Sequence, residues 1–390
     1  MRKVYVSYNS IVSALGFDSK AVVENIANEV SGIRKISDPK LFPTPFYASL
    51  VASEAISEAF HQFGATEAYT RLEQLLILSL QHVIEASKLP LNDRVGLIIS
   101  TTKGNIDVLE KDSPFPEKRA YLAALGNVLK NFFGFQNDAI VLSNACVSGV
   151  LAVAVAKRYI QQGTYDHVFI ASGDIVSQFI LSGFNSFQAM SSLPCKPYSN
   201  DRTGITIGEL SASALVTSEE KNLAPEAVEI LGEASCNDAN HISGPSRTGE
   251  GLYRSIQSAM KEAAIEASTI DYISAHGTAT SFNDEMEAIA FNRAALQNVP
   301  LNSLKGYFGH TLGASGLVET IVGMHSLHQN TLFTSLGFSE LGVSKPLTII
   351  TEVAPKEVSV FLKTASGFGG CNTAAIFQKC HNTETNNQTN

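Results

Sequence analysis

Short apolar runs bounded by polar turns alternate with longer segments whose apolar residues recur at near-helical spacing, and the alternation passes through the chain twice. In the first half, strand patterns at residues 4–8, 95–100, 139–143 and 166–171 are interleaved with helix patterns at 20–27 and 67–86, with another helix expected before residue 139. In the second, strand patterns at 212–217, 228–234, 272–275, 347–350 and 358–364 are interleaved with helices at 252–263, 284–293 and 317–327. Mixed elements of this length bury their apolar faces by stacking helices on sheets, so the expected fold class is layered α/β. The 390 residues, 44% of them hydrophobic, suffice for one large core or two moderate ones packed together. The likeness of the halves suggests an internal duplication, with the change of half in the polar loop at 218–223.

Composition removes several classes of function. A net charge of −9 argues against a general surface for nucleic acid or anionic lipid. The opening MRKVYVSYNS is charged and then strand-like, without the continuous apolar segment and cleavage region of an export signal. The most apolar stretch, 150–156, is interrupted by Lys157 and Arg158 and is too short for a membrane span, so it reads as a buried helix. The five cysteines, Cys146, Cys195, Cys236, Cys371 and Cys380, have no paired ligand spacing, and their odd number leaves at least one unpaired. A reducing cytoplasm is the expected setting, and no metal site is nominated. The last segment, 379–390, has the composition of a disordered tail.

Five motifs fall at the ends of strand patterns, where α/β folds assemble sites from distant segments. SNACVSG sets Cys146 at the start of an apolar helix, where unpaired amides and the positive end of the peptide dipoles favour a thiolate. HGTATSFNDEME opens at His276 and carries Asp284 and Glu287, which are positioned to brace its loop. LKGYFGHTLGASG supplies Lys305 and His310, with Glu319 beyond it; GFGGCN at 367–372 and the polar loop KPYSNDRTGITIGE at 196–209 complete the set. Each has an ordinary structural reading by itself, since buried cysteines are usually inert and glycines often serve turns. The combination carries the functional reading.

Together these motifs resemble those of the β-ketoacyl-acyl-carrier-protein synthases, the condensing enzymes of the thiolase superfamily, over residues 4–377. In that family a nucleophilic cysteine follows alanine in a turn, one histidine opens HGT-x-T, and a second lies in K-x-x-x-GHT-x-G-A-x-G. Here these are Cys146, His276 and His310, with Lys305 at the lysine position. The resemblance implies a thiolase-like fold of two related halves in five αβαβα layers, residues 1–222 carrying the cysteine and 223–378 both histidines. It also implies an acyltransferase: Cys146 takes an acyl group from a thioester, and a malonyl-carrier substrate then loses carbon dioxide. His276 and His310 would donate hydrogen bonds to the malonyl thioester oxygen as enolate charge develops, and the carbanion would attack the acyl group on Cys146.

By the same resemblance, the backbone N–H groups of Cys146 and Phe368 form the second oxyanion hole, and Phe368 is a movable gate; a hydrophobic plug is its ordinary alternative. Lys305 would order the histidine loops and Glu319 rather than abstract a proton, because lysine is largely protonated at neutral pH. Thr278 and Thr280 would hydrogen-bond the phosphopantetheine arm, strand-to-loop caps being the alternative for both. No bound cofactor is implied, since substrates ride on the phosphopantetheine arm of an acyl carrier protein. The carrier would be acidic and approach a local basic entrance, and the oligomer would be a homodimer or a ketosynthase/chain-length-factor heterodimer. Two histidines, rather than one histidine and an asparagine, favour carrier-primed elongation in fatty-acid, polyene or polyketide synthesis.

Two rivals stand beside this reading: a thiolase-fold acyltransferase that does not decarboxylate, and a noncatalytic partner subunit that shapes an acyl tunnel. Retention of Cys146 argues against the second. Asn144 and Val147 stand near Cys146 where threonine and serine are common, and KTASGFGGCN replaces a frequent asparagine-serine-phenylalanine-glycine approach to the final FGG. These departures bear on substrate preference and loop dynamics. Phe184, Phe187 and Met190 either line an acyl channel or pack a dimer core.

Overall fold

The computed structural model describes residues 2–64, 67–238, 240 and 244–380. The first half contributes β1 (Tyr5–Val12), β2 (Val95–Ser100), β3 (Ile140–Leu142), β4 (His167–Asp174) and β5 (Leu210–Thr217) to a mixed sheet. The second contributes β6 (Val228–Asn237), β7 (Tyr272–Ser274), β8 (Pro300–Asn302), β9 (Thr348–Ile349), β10 (Val360–Gly367) and β11 (Cys371–Lys379). The strands run in the order β9-β8-β7-β10-β11-β6-β1-β5-β4-β2-β3.

That order contains the duplication. The first half reads β1-β5-β4-β2-β3 and the second β6-β11-β10-β7-β8, each with two antiparallel pairings followed by two parallel ones. The halves join where Tyr5 faces Glu229 and Val6 faces Val228.

Seven helices matter for the site: α1 (Arg71–Ser87), α2 (Leu122–Phe133), α3 (Ser148–Gln161), α4 (Gln178–Ser186), α5 (Glu250–Ala263), α6 (Ser281–Arg293) and α7 (Ser315–Gln329). Thr70 starts α1 with a reciprocal capping box to Glu73. A central core joins Val150, Val153 and Ile160 of α3 and Leu317, Ile321 and Met324 of α7 to residues from both half-sheets. Apolar residues surround both helices, as a sandwiched layer requires. Outside, α1 and α2 cover the first half-sheet, and α5 and α6 cover the second, each over its own core. The result is the thiolase-like fold, in αβαβα layers.

Several elements depart from the sequence reading. A strand absent from the sequence reading, β11, follows the glycine turn and lies between β6 and β10. Its CNTAAIFQK is weakly strand-forming on paper, and pairing on both edges together with burial stabilises it. The tail does not begin at 379: Lys379 closes β11 and the Cys380 amide donates to the Ala227 carbonyl over 3.4 Å. Residues 381–390 lie outside the described residues. A small sheet of Ile33–Ile36, Phe46–Ser49 and Ile207–Gly208, like α4, was not anticipated. Among the described residues, no helix is long and apolar enough to cross a membrane.

Candidate active site

The site forms where matching strand ends of the two halves approach. After β3 the chain turns through Asn144 and Ala145, whose φ of 44° lies in the left-handed region that a Cβ disfavours. Ser148 holds this turn, its Oγ donating to the Ala145 carbonyl (2.7 Å) and accepting from the Asn144 amide (2.8 Å). The turn delivers Cys146, 6% exposed, two residues ahead of α3.

Cys146 Sγ lies 3.2 Å from Nε2 of His310. The other ring nitrogen of His310, Nδ1, accepts from the Leu312 amide (3.2 Å) and sits 3.1 Å from Ser315 Oγ. A neutral imidazole that accepts at Nδ1 carries its proton on Nε2, so His310 presents an N–H to the sulfur. The His276 ring lies 5.2 Å from that of His310, and its Nδ1 is 3.4 Å from Lys305 Nζ. An ammonium only donates, which leaves the proton of His276 on Nε2 as well. Burial foremost, then the Lys305 charge, holds both histidines well below the ordinary imidazole value.

A second influence acts on the cysteine. Burial, then Cys371, pushes the Cys146 thiol up to about 12, although Lys305 pulls the other way. Desolvation of the buried sulfur thus opposes the helix terminus that favours the thiolate.

Charged groups hold the His276 backbone from both sides. Its amide and that of Gly277 donate to Glu287 (2.9 and 2.7 Å), and the Thr278 amide donates to Asp284 (2.9 Å). The expected bracing by Asp284 and Glu287 is therefore through the backbone. Burial and then Asp284 push Glu287 up to about 7, against the pull of the amides that stabilise its ionised form. On the carbonyl side, Lys305 donates to the His276 oxygen (2.5 Å) and pairs with Glu319 (2.8 Å). Sequence reasoning missed three members of this assembly. Lys363 pairs with the other Glu319 oxygen (2.6 Å), Tyr198 donates its hydroxyl to Glu287 (3.0 Å), and Ser303 donates to the Gly277 carbonyl (2.7 Å). For Lys363 a signal existed: a lysine inside the apolar strand VFLKTASG requires a buried partner.

A cavity of about 470 Å³ opens over these groups, lined by Cys146, His276, His310, Phe368, Thr278 and Thr280 among others. The two threonine hydroxyls lie 2.9 Å apart. Phe184 and Phe187 line the cavity, whereas Met190 packs in a satellite core with Phe46 and Ile180. Phe368 stands against both phenylalanines, with ring centres 5.6 and 5.4 Å away, on a loop continued by Gly369 and Gly370 at φ of 85° and 82°. A Cβ on Gly367 would meet the Cys146 amide nitrogen at 3.1 Å, so this loop runs directly beside the nucleophile. Within this loop Ser366 Oγ donates to Asn372 Oδ1 (2.7 Å).

Cys146 Sγ and a ring nitrogen of each histidine lie within 4.8 Å of one another, close enough to suggest a metal. The surroundings do not fit one. A metal-bound histidine donates its outer N–H to an acceptor, whereas here each outer nitrogen faces a donor.

A cysteine set against two imidazole N–H donors, between matching half-sheets, is the arrangement of a thiolase-like condensing acyltransferase. The chain belongs to the β-ketoacyl synthase family, matching its N-terminal domain over residues 1–222 and its C-terminal domain over 227–339. It is 33% identical over 285 residues to 3-oxoacyl-[acyl-carrier-protein] synthase 2 of Rhizobium meliloti, covering 68% of this chain and 67% of that one. To the enzyme of the same name in Staphylococcus aureus it is 25% identical, over 97% of this chain and 98% of the relative. Its fold superposes with a TM-score of 0.84 on the ketosynthase ApeO, solved in complex with its chain length factor ApeC from Xenorhabdus doucetiae. The two chains are 27% identical, with 97% and 98% of them covered.

Proposed function

We propose that this chain catalyses decarboxylative Claisen condensation of a malonyl thioester with an acyl group held on Cys146, in fatty-acid, polyene or polyketide synthesis. The observation that carries the reading is the pair of histidines whose Nε2–H groups are left for the cavity beside Cys146. In the first half-reaction Sγ attacks the acyl thioester carbonyl, the carrier thiol leaves, and the Sγ proton passes to it. The tetrahedral oxyanion accepts from the Cys146 and Phe368 amides. In the second, the bond between the malonyl α-carbon and its carboxylate breaks and carbon dioxide leaves. The electron pair forms an enolate whose oxygen accepts from His276 and His310. The α-carbon then attacks the acyl carbonyl, the C–S bond breaks, and the expelled Cys146 thiolate takes up a proton from solvent.

In this reading Lys305 and Glu319 fix His276, Asp284 and Glu287 brace its loop, Thr278 and Thr280 hold the phosphopantetheine arm, and Phe368 gates the acyl chain. Substrates arrive on an acyl carrier protein and no resident cofactor takes part. A second subunit, identical or a chain-length factor, completes the assembly, as in the ApeO–ApeC complex. The setting is the cytoplasm, in keeping with five cysteines that are all free.

The test is a carrier-coupled assay read by intact-protein mass spectrometry, with wild type and Cys146→Ala, a panel of acyl-carrier thioesters, and malonyl carrier. Acylation of Cys146 followed by malonyl-dependent release of product is the expected result. Acylation with no consumption of malonyl thioester would favour a non-decarboxylating acyltransferase, and no acylation would favour a tunnel-shaping partner.

A further inference from the structure

Three consecutive carbonyls lead into and include His276, and two ammonium groups hold all of them. Lys363 Nζ donates to Ser274 (3.0 Å) and Ala275 (3.3 Å), and Lys305 Nζ donates to His276 itself (2.5 Å). Glu319 bridges the two, one carboxylate oxygen on each lysine at 2.8 and 2.6 Å. Lys305 thus faces three acceptors, the third being Nδ1 of His276 at 3.4 Å, whereas Lys363 donates to two carbonyls and meets Glu319 Oε2 as an ion pair without a hydrogen bond. Both lysines and Glu319 are buried; burial lowers the proton affinity of Lys363 and Glu319 opposes that, and with all three ionised the cluster carries one net positive charge in a medium that screens it little.

A buried lysine is costly to desolvate, and two on one carboxylate more so. A strand end that only needed rigidity would be held by neutral side chains. What the second lysine adds is charge: with Glu319 shared, Lys305 remains a cation aimed at the imidazole instead of half of a neutral pair. We propose that Lys363 is a positioning residue for His276: through Glu319 and the Ser274 and Ala275 carbonyls it fixes the strand end that carries the imidazole, and with Lys305 it keeps the imidazole proton on Nε2. The inference rests on the proposed condensation for its catalytic consequence. Lys363 belongs to β10 and reaches the site from beneath, touching neither the cavity nor Cys146.

The charged and titratable groups facing His276 are Lys305 from the turn after β8, Lys363 from β10, His310 from its loop, Cys146 ahead of α3, and Glu287 and Asp284 from α6, with Glu319 of α7 behind Lys305. Among these, Lys305, His310 and Lys363 all oppose protonation of the ring, after burial itself. Removing the Lys363 charge therefore raises the titration of His276 toward the ordinary value.

The experiment compares wild type, Lys363→Met and Lys363→Gln in three readouts: acylation of Cys146, decarboxylation of malonyl carrier, and titration of His276 by NMR with 15N-labelled histidine. Lys363→Met keeps acylation within about twofold and slows decarboxylation about 10- to 100-fold. It moves the His276 titration upward, toward the ordinary imidazole value. Should Lys363→Met not fold, Lys363→Gln, which retains N–H donors without the charge, carries the same comparison. An unmoved His276 titration, or losses of equal size in both half-reactions, would overturn the proposal. The NMR readout needs no turnover. A wild-type protein that never decarboxylates malonyl carrier would thus refute the condensation while leaving the Lys363 measurement decisive.

Discussion

Gly149 of α3 and Gly316 of α7 meet backbone to backbone: a Cβ on Gly149 would stand 2.5 Å from the Leu317 amide nitrogen, and one on Gly316 would stand 2.5 Å from that of Val150. The two helices belong to opposite halves of the duplicated sheet. Cys146 precedes one by two residues and the His310 loop leads into the other. The 3.2 Å separation of Sγ from Nε2 therefore depends on two missing side chains at the centre of the molecule.

Gly149→Ala is expected to force α3 and α7 apart, since the obstructing atoms are backbone and cannot rotate away. Overpacking of this kind costs about 1–3 kcal/mol, and the expected site-level effect is slower acylation of Cys146. Urea unfolding and an acylation time course check both. Full stability with full acylation would mean that the helices are free to separate.

The two histidines should separate the half-reactions. Only His310 has a hydrogen bond with Cys146 Sγ, whereas both have an Nε2–H for the cavity. His276→Ala is predicted to leave acylation near wild type and to reduce decarboxylation about 10²- to 10³-fold, the loss typical of one oxyanion donor. His310→Ala reduces both. Single-turnover acylation and carbon dioxide release, measured on each variant, distinguish this from equal roles.

How much of this was legible in the sequence depends on how local each signal is. Val95–Ser100 was read to the residue because its apolar run is bounded by polar residues on both sides. Cys146, His276, His310 and Lys305 were found because fixed-spacing glycines and hydroxyls surround them. The strand Cys371–Lys379 was missed because its small residues become strand only between two partners. Lys363 was missed because its meaning lies in Glu319 and the Ser274 carbonyl, at the far ends of other elements. The pull of burial on the Cys146 thiol was not legible, because helix position is local and burial is not.

Acid should destabilise the protein through the same imidazoles. In the folded state His276 and His310 take up protons well below 6.5, while in the unfolded chain they do so near about 6.5. The unfolded chain then binds more protons, so the stability they contribute is complete above that value and is lost as pH falls toward the folded-state values. The slope for the pair reaches about 3 kcal/mol per pH unit. Glu287, pushed up to about 7, has the opposite sign: its contribution is complete at low pH and lost as pH rises through 7. Urea unfolding between pH 7.5 and 5.5 of wild type and a His276→Asn/His310→Asn variant isolates the histidine part. Parallel curves would refute it.

The state of Cys146 gives the sharpest chemical prediction. Two effects compete on one sulfur: the amides at the start of α3 lower its proton affinity, and full burial beside Cys371 raises it to about 12. If burial prevails, the thiolate fraction at pH 7 is minute and grows about tenfold with each pH unit. Alkylation of Cys146 by iodoacetamide, read by intact mass against Cys146→Ala to subtract the other four cysteines, should then climb through pH 9 without a plateau. Lys305→Met removes the largest of the charges that favour the thiolate and should slow alkylation further at every pH. A plateau near pH 7 would instead assign control of the nucleophile to the helix terminus.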